Sequence, residues 1–191
     1  SEAATGKKFV NVWMEGEHLL VEGEKMAKSL GNIFTLADVI KKGFDPVALR
    51  YLFLTAHYRS KLNFTWKSLE SAQNALNNLR GEVANWDESN IGCAGYENDF
   101  KGAIGDDLDM PKALSVMWEM VKSDYPSSAK HQSILVMDKV LGLGFDNIEK
   151  VDLPKGAREL IEKREQLREE GKFDQSDKLR KDLESIGVEV E

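Results

Sequence analysis

A run of apolar residues between Trp66 and Trp86 constrains the fold of this chain more than any other feature. Its members are spaced by three and four residues: Trp66, Leu69, Ala72, Leu76, Leu79, Val83 and Trp86. This spacing places them on one face of a long α-helix, and Thr65 supplies an N-cap directly before it. Such a face must be buried against other elements, so we predict a helical core that both tryptophans fill, rather than a cofactor site.

Two shorter helices are predicted before this run. Thr35 and Asp38 have the spacing of a capping box, and Gly43 ends the helix that they open. Asp45-Pro46 then starts a second helix, with Asp as N-cap and Pro at the first helical position. This second helix is apolar nearly all round, so we expect it to be buried. Arg50 interrupts it, and a buried arginine requires a partner, for which we predict an ion pair.

Further helices are predicted after the run. One opens at Phe100, one starts at Asp109 and one closes at Gly142. The acidic run 106–109 could bind a metal ion, but Asp109 stands just before Pro111 and is favoured as a helix cap. Residues 35–143 therefore indicate a bundle of antiparallel helices.

The composition changes over residues 145–154, and the segment that follows is highly charged. Its apolar periodicity predicts a helical hairpin with Gly171 as the first stop, Asp174 as the restart and Gly187 as the second stop. The residues at 188–190 could begin a strand. The basic residues of the hairpin alternate with acidic ones, which fits either a solvated hairpin or a surface that contacts RNA.

The fold class predicted is mainly α, with a short β portion at the start. Phe9–Met14 and Leu19–Val21 are β-favouring runs around a polar turn, which indicates strand, turn, strand. We predict three segments: 1–43 with the β portion, 44–144 with the helical bundle, and 145–191 with a linker and the hairpin.

Composition excludes several classes of function. The only cysteine, Cys93, allows no internal disulfide, and the three histidines are scattered, so no protein-built metal site is predicted. The net charge of −7 argues against non-specific binding of DNA or other nucleic acid. No apolar run approaches the roughly 18 residues that span a membrane, and no export signal is visible, so we expect a cytoplasmic protein.

The segment Gly23–Asn32, called the lysine loop below, is the candidate functional site. It holds Lys25, Lys28 and Ser29 between two glycines that let the backbone bend. Ammonium groups on such a loop can act as mobile charges on the oxygens of a polyphosphate. The spacing by itself is more typical of a solvated surface turn with two lysines, because lysine pairs are common in loops.

Several motifs occur along the chain in one order. Residues 24–32 resemble the KMSKS signature, with Ala27 in place of its first serine, and residues 44–51 are similar to the start of the DALR anticodon-binding fold. Further motifs are 57–60 (His-Tyr-Arg-Ser), 62–64 (Leu-Asn-Phe), 106–114 and the charged ending from Arg164 to Val188. Together they resemble the cysteinyl-tRNA synthetase family of class I aminoacyl-tRNA synthetases, and the resemblance covers essentially the whole chain.

This resemblance implies an ATP-dependent enzyme that activates cysteine to cysteinyl-adenylate and transfers it to cysteine tRNA. Lys28 would be the main catalytic and ATP-binding residue and Lys25 the second, with Ser29 supporting the loop. The helical domains would bind tRNA, with Arg164, Arg168 and Lys172 as candidate contacts. The resemblance also implies a monomer.

The resemblance further implies parts that this chain does not contain. Family members carry a HIGH motif and a zinc site of two cysteines, a histidine and a glutamate, and neither occurs here. Residues 1–11 resemble the family segment just after the last zinc ligand, so we expect a fragment that is inactive alone. Two alternatives remain: a ligase that joins cysteine to an amine, as in mycothiol biosynthesis, and a non-catalytic RNA-binding helical module.

Overall fold

The computed structural model describes residues 1–148, 157–169 and 171–185 of the chain. The chain divides into two compact units, residues 1–148 and residues 149–191. Within the described residues it is mainly helical with one small sheet near the start, which confirms the predicted fold class. None of the described helices is both long and apolar enough to cross a membrane.

The first unit contains seven helices and three short strands among its described residues. The helices are α1 (Glu2–Thr5), α2 (Leu36–Lys41), α3 (Pro46–Leu54), α4 (Trp66–Ala84), α5 (Ala94–Gly105), α6 (Met110–Lys122) and α7 (Ser127–Leu141). The strands are β1 (Leu19–Val21), β2 (Glu24–Lys25) and β3 (Leu62–Phe64). In the sheet, β1 lies in the middle, antiparallel to β2 and parallel to β3.

Side-chain caps confirm four of the predicted helix starts. Thr35 and Asp38 form a reciprocal capping box at α2. Asp45, Thr65 and Asp109 each accept a hydrogen bond from a main-chain N–H in the first turn of α3, α4 and α6. These starts were predictable because each cap lies within three residues of the group that it binds.

The core of the first unit lies among α3, α4, α5, α6 and α7. The apolar face of α4 is buried as predicted, and Trp86 is buried directly after the helix. Facing it are buried side chains of the later helices, among them Phe100, Leu114, Met117, Met120, Ile134, Met137 and Leu141. Trp66 is half-buried in an aromatic cluster with Phe34, Phe44 and Phe64. Both tryptophans therefore stabilise the interior.

Two local predictions were wrong. Phe9–Met14 is not a strand and pairs with no described strand, and most of its side chains are exposed, with Phe9 at 65% and Trp13 at 75%. A strand needs a partner for its N–H and C=O groups, and β propensity cannot supply one. The helix expected to open at Phe100 begins at Ala94, directly after the buried Cys93, which occupies its N-cap position at the end of the predicted loop.

The interpretation of Arg50 also needs correction. The helix α3 is buried on one face only, and Arg50 is exposed. Its guanidinium donates from Nε to the carbonyl of Leu141 and from a terminal nitrogen to Val140 O at 3.4 Å. Arg50 thus binds the carbonyl end of α7, where the helix dipole attracts a cation, and not an acidic side chain of the described residues.

An ion pair between Asp45 and Arg80 joins α3 to α4. The guanidinium of Arg80 lies 2.6 Å from Asp45 Oδ2, and Val47 N–H donates to the other carboxylate oxygen at 2.8 Å. Burial raises the pKa of Asp45, but the hydrogen bonds from Arg80 and Val47 and the charge of Arg80 outweigh it. The net pKa of Asp45 is below its ordinary value of 3.8.

We expect Asp45→Asn to destabilise the first unit by about 1 kcal/mol at pH 7, because a partly exposed pair contributes modestly. A lowered carboxylate pKa contributes stability above the unfolded-state pKa and loses it as pH falls through the folded-state pKa. The difference between wild type and variant should therefore shrink below about pH 4. Urea unfolding from pH 3 to 7 measures this, with exposed Asp124→Asn as the control. A difference that stays constant with pH would contradict the account.

The second unit contains a helical hairpin of α8 (Ala157–Glu169) and α9 (Phe173–Ser185). Gly171 stands between them in the left-handed conformation, with φ of 72°, as expected for the first stop. The side chain of Asp174, the second stop at Gly187 and the strand suggested at 188–190 lie outside the described residues. Most of the 145–154 composition break does too, apart from the short turn at Phe145–Asn147.

Candidate functional site

The lysine loop begins as a tight β-hairpin. Val21 of β1 pairs with Glu24 of β2, and Leu20 pairs with Lys25. The two residues of the turn, Glu22 and Gly23, have φ of 50° and 83°. Positive φ at both central positions is the geometry that two-residue hairpins prefer, and glycine adopts it without strain. Lys25 is thereby fixed to the edge of the sheet.

The second half of the loop is closed by Asn32. Its side-chain oxygen accepts a hydrogen bond from Ala27 N–H at 2.9 Å, and its amide nitrogen donates to Lys25 O at 3.1 Å. A short 3₁₀ turn, Lys28–Leu30, lies inside this closure and ends at Gly31 with φ of 63°. The loop therefore has a defined shape that side-chain to main-chain bonds maintain.

Strand β3 supports the hairpin from the other side. Asn63 Oδ1 accepts a hydrogen bond from Gly23 N–H at 2.8 Å, and Glu22 N–H donates to Phe64 O at 3.0 Å. From the sequence, the segment that contains β3 is a polar connector, so neither the strand nor its hydrogen bonds to the hairpin were predicted. A three-residue strand with a polar centre gives almost no periodic signal, and its partner is distant in the chain.

The charged groups of the loop face solvent. Lys25, Lys28 and Ser29 are all exposed. Neither lysine forms an ion pair with any acidic group in the part of the chain that the structure describes. The arrangement presents two ammonium groups and a hydroxyl on a hydrogen-bonded base, which suits the oxygens of a polyphosphate.

Four side chains form a second cluster, which involves the segment just before β3. We call it the Asp107 cluster: His57, Tyr58, Arg59 and Asp107. Asp107 Oδ1 accepts from Tyr58 OH at 2.6 Å and from the Arg59 guanidinium at 2.9 Å. Arg59 Nε also donates to Tyr58 OH at 2.9 Å. The pKa of Arg59 is raised, first by its bond with Tyr58 and then by the charge of Asp107.

His57 completes this cluster through the main chain. Its Nδ1 accepts a hydrogen bond from Arg59 N–H at 3.2 Å, which leaves the proton on Nε2. Nε2 lies 2.9 Å from Asp107 O and donates to it. Asp107 and Leu108 both have left-handed backbones, with φ of 55° and 56°. Each such residue that is not glycine costs about 1–3 kcal/mol, so the surrounding bonds must hold the turn in place.

The described residues do not fit a zinc site. Cys93 is buried, with 2% of its surface exposed, and His57 and His131 each bind a main-chain carbonyl. No group of three or more histidine, cysteine or acidic residues within the described ranges could hold a metal ion. Within the acidic run 106–109, Asp109 caps α6 and Asp107 belongs to the Asp107 cluster, so two of its three carboxylates have structural partners.

The basic residues proposed to contact tRNA differ in their surroundings. Arg168 and Lys172 are exposed in the second unit. Arg164 is only 8% exposed, so its side chain contributes little to any accessible surface. In the sequence, Arg164 occupies a position where the helical repeat of the segment calls for an apolar residue. This position distinguishes Arg164 from its exposed neighbours.

Comparison with known proteins identifies the class of this chain. The family described as tRNA synthetases class I (C) catalytic domain matches residues 1–74, which include the lysine loop and the three strands. This part of the chain belongs to the catalytic domain of a class I synthetase.

The whole chain is similar to named members of that class. It is 39% identical over 194 residues to cysteine–tRNA ligase 1 of Burkholderia lata, a match that covers 100% of the chain and 41% of the relative. It is 35% identical over 212 residues to the cysteine–tRNA ligase of Protochlamydia amoebophila, covering 100% and 44%. The Methanosarcina acetivorans cysteine–tRNA ligase is 33% identical over 216 residues, with 100% and 45% covered.

The chain belongs to the cysteinyl-tRNA synthetase family. It spans less than half the length of the curated relatives that it matches.

Proposed function

We propose that this chain is part of a cysteine–tRNA ligase, an ATP-dependent enzyme. In its first step the carboxylate of cysteine attacks the α-phosphate of ATP, and pyrophosphate leaves. In the second step the cysteinyl group passes from the adenylate to the 3′ end of cysteine tRNA, and AMP leaves. One observation carries this proposal: similarity to cysteine–tRNA ligases extends over the entire chain and not over the lysine loop alone.

The lysine loop is proposed to be the KMSKS loop of the ATP site. Negative charge builds on the phosphates as pyrophosphate leaves, and preplaced cations that meet this charge lower the barrier. Lys28 is the principal cation and Lys25 the second, while Ser29 supports the loop. With Ala27 the loop lacks one hydroxyl of the signature but retains the charges of Lys25 and Lys28. The N–H of Ala27 still donates a hydrogen bond to the side chain of Asn32. The loop therefore retains its role.

The helical parts are proposed to bind tRNA. Residues 44–144 would form the DALR-type bundle and residues 145–191 a linker and hairpin of the anticodon-binding region, after a catalytic portion at 1–43. Anticodon bases are unstacked and are recognised through stacking and edge hydrogen bonds. Arg168 and Lys172 are exposed and are the candidate phosphate contacts of the hairpin. The intact enzyme is proposed to be cytoplasmic and monomeric.

Purified alone, the 191-residue chain is expected to give no cysteine-dependent exchange of pyrophosphate into ATP. Its sequence has no His-x-Gly-His string, and one cysteine cannot provide the two thiolates of the family's zinc site. The full-length protein, assayed beside it, is the positive control. Exchange above background by the chain alone would show that it activates cysteine without those elements.

Binding of tRNA tests the helical part of the proposal separately. The chain is expected to bind cysteine tRNA more tightly than a tRNA for another amino acid, with affinity that falls as salt rises. Fluorescence anisotropy at several salt concentrations measures both effects. The double variant Arg168→Ala/Lys172→Ala should bind more weakly, and Lys7→Ala/Lys8→Ala, which removes two exposed charges from the catalytic portion, is the matched control. Equal affinity for both tRNAs would contradict a specific role.

A further inference from the structure

The Asp107 cluster is connected to the lysine loop through the sheet. Tyr58, which binds Asp107 through its hydroxyl, accepts a hydrogen bond at its own carbonyl from Glu17 N–H at 2.8 Å. Glu17 directly precedes the segment that enters β1, and Leu62, which opens β3, follows shortly after Tyr58. The segment 57–60 is therefore attached to both strands that hold the loop.

The attachment continues from these strands to the loop itself. β1 and β3 pair in parallel, with Leu19 opposite Leu62 and Val21 opposite Phe64. Asn63, between those two residues of β3, binds Gly23 N–H in the hairpin turn. A displacement of segment 57–60 would shift β3 and so move the β1–β2 hairpin, whose second strand carries Lys25.

The strained backbone at Asp107 also supports a link between this residue and the lysine loop. Two consecutive residues other than glycine in the left-handed region persist only where their surroundings hold them, and such strain concentrates at functional positions. Here three side chains of segment 57–59 bind the carboxylate or the carbonyl of Asp107. The charge-assisted bonds among them are stronger than neutral ones.

We propose that Asp107 is a positioning residue for the lysine loop. Its carboxylate at the junction of α5 and α6 fixes Tyr58 and Arg59, and these fix the sheet on which Lys25 and Lys28 are mounted. Asp107 has no contact with substrate in this role. Its effect on catalysis rests on the proposed function of the loop, whereas its effect on loop structure does not.

Amide hydrogen exchange of the 191-residue chain, measured residue by residue by NMR, tests this inference. In Tyr58→Phe and in Asp107→Asn we expect exchange at Glu17, Glu22 and Gly23 to accelerate roughly tenfold, because lost charge-assisted bonds permit local opening. Asparagine tolerates the left-handed backbone, so the turn should persist in the second variant. Protected amides of α6 should exchange as in wild type.

Asp106→Asn is the control, because it removes a neighbouring negative charge that has no place in the cluster. Wild-type exchange at Glu17, Glu22 and Gly23 in both cluster variants would overturn the inference. Equal acceleration in α6 would also overturn it, since that would indicate a general loss of stability.

Kinetics of the full-length protein supply the second readout. Tyr58→Phe is expected to lower kcat/KM for ATP in pyrophosphate exchange about tenfold, with the KM for cysteine unchanged. An equal rise in both KM values would contradict positioning of the ATP loop. If the cluster variants alter loop exchange while Lys28→Ala leaves activity intact, the proposed function fails and the structural inference stands.

Discussion

Replacing Lys28 with alanine in the full-length protein is expected to lower kcat for cysteine-dependent pyrophosphate exchange by about 10²–10³-fold. The lysine is exposed at the start of a 3₁₀ turn whose ends are fixed by Asn32 and Gly31. In the proposed role its charge meets the negative charge that builds on the leaving pyrophosphate, and water does not replace a preorganised cation. Steady-state kinetics with varied ATP separates this loss in kcat from a change in binding.

Two further variants make the result specific to the loop. Lys67→Ala removes an exposed lysine from the first turn of α4 and should retain wild-type activity. Lys28→Arg retains a positive charge but changes its shape, so it should recover part of the rate. An unchanged kcat in Lys28→Ala would eliminate the assignment of the lysine loop to the ATP site.

The largest loss of stability is expected from Asp138→Ala. Asp138 lies near the end of α7 with 9% of its surface exposed. Its carboxylate accepts hydrogen bonds from three successive N–H groups, those of Leu143 at 2.6 Å, Gly144 at 3.0 Å and Phe145 at 2.9 Å. Leu143 and Phe145 are themselves buried, so removing the carboxylate leaves their N–H groups without a partner.

We expect this substitution to lower the free energy of unfolding by about 3–5 kcal/mol, because buried polar groups lose charge-assisted bonds. Asp138→Asn retains one acceptor oxygen and should lose less. Urea unfolding followed by circular dichroism measures both, and the exposed neighbour Lys139→Ala serves as the control. A loss below about 1 kcal/mol in Asp138→Ala would show that water replaces the carboxylate.

Most of the helical fold was predictable, because the signals for helices are local. Thr65 caps α4 through a residue three positions ahead, and the apolar positions that follow repeat with the helical period. The start of α5 was missed because Cys93 provides no side-chain cap and the first turn has little apolar periodicity. The segment Phe9–Met14 has β propensity but no partner strand among the described residues.

The candidate site was predictable only in part, for a related reason. The lysines of the loop, Lys25 and Lys28, stand only three positions apart in the sequence, so their spacing was visible. The groups that shape the loop come from elsewhere: Asn63 reaches Gly23 across a parallel strand pair, and Asp107 reaches Tyr58 from the end of another helix. Single-sequence periodicity carries no information on such distant contacts.

Charging of tRNA by the full-length protein tests the central proposal most directly. With ATP, cysteine and cysteine tRNA, we expect cysteine to become attached to the 3′ end of the tRNA through an alkali-labile ester, and AMP and pyrophosphate to be released. Acid-gel separation of charged and uncharged tRNA measures this product, with a tRNA for another amino acid as the control. Transfer of cysteine to a small amine in place of tRNA, or no ATP-dependent charging at all, would contradict the account.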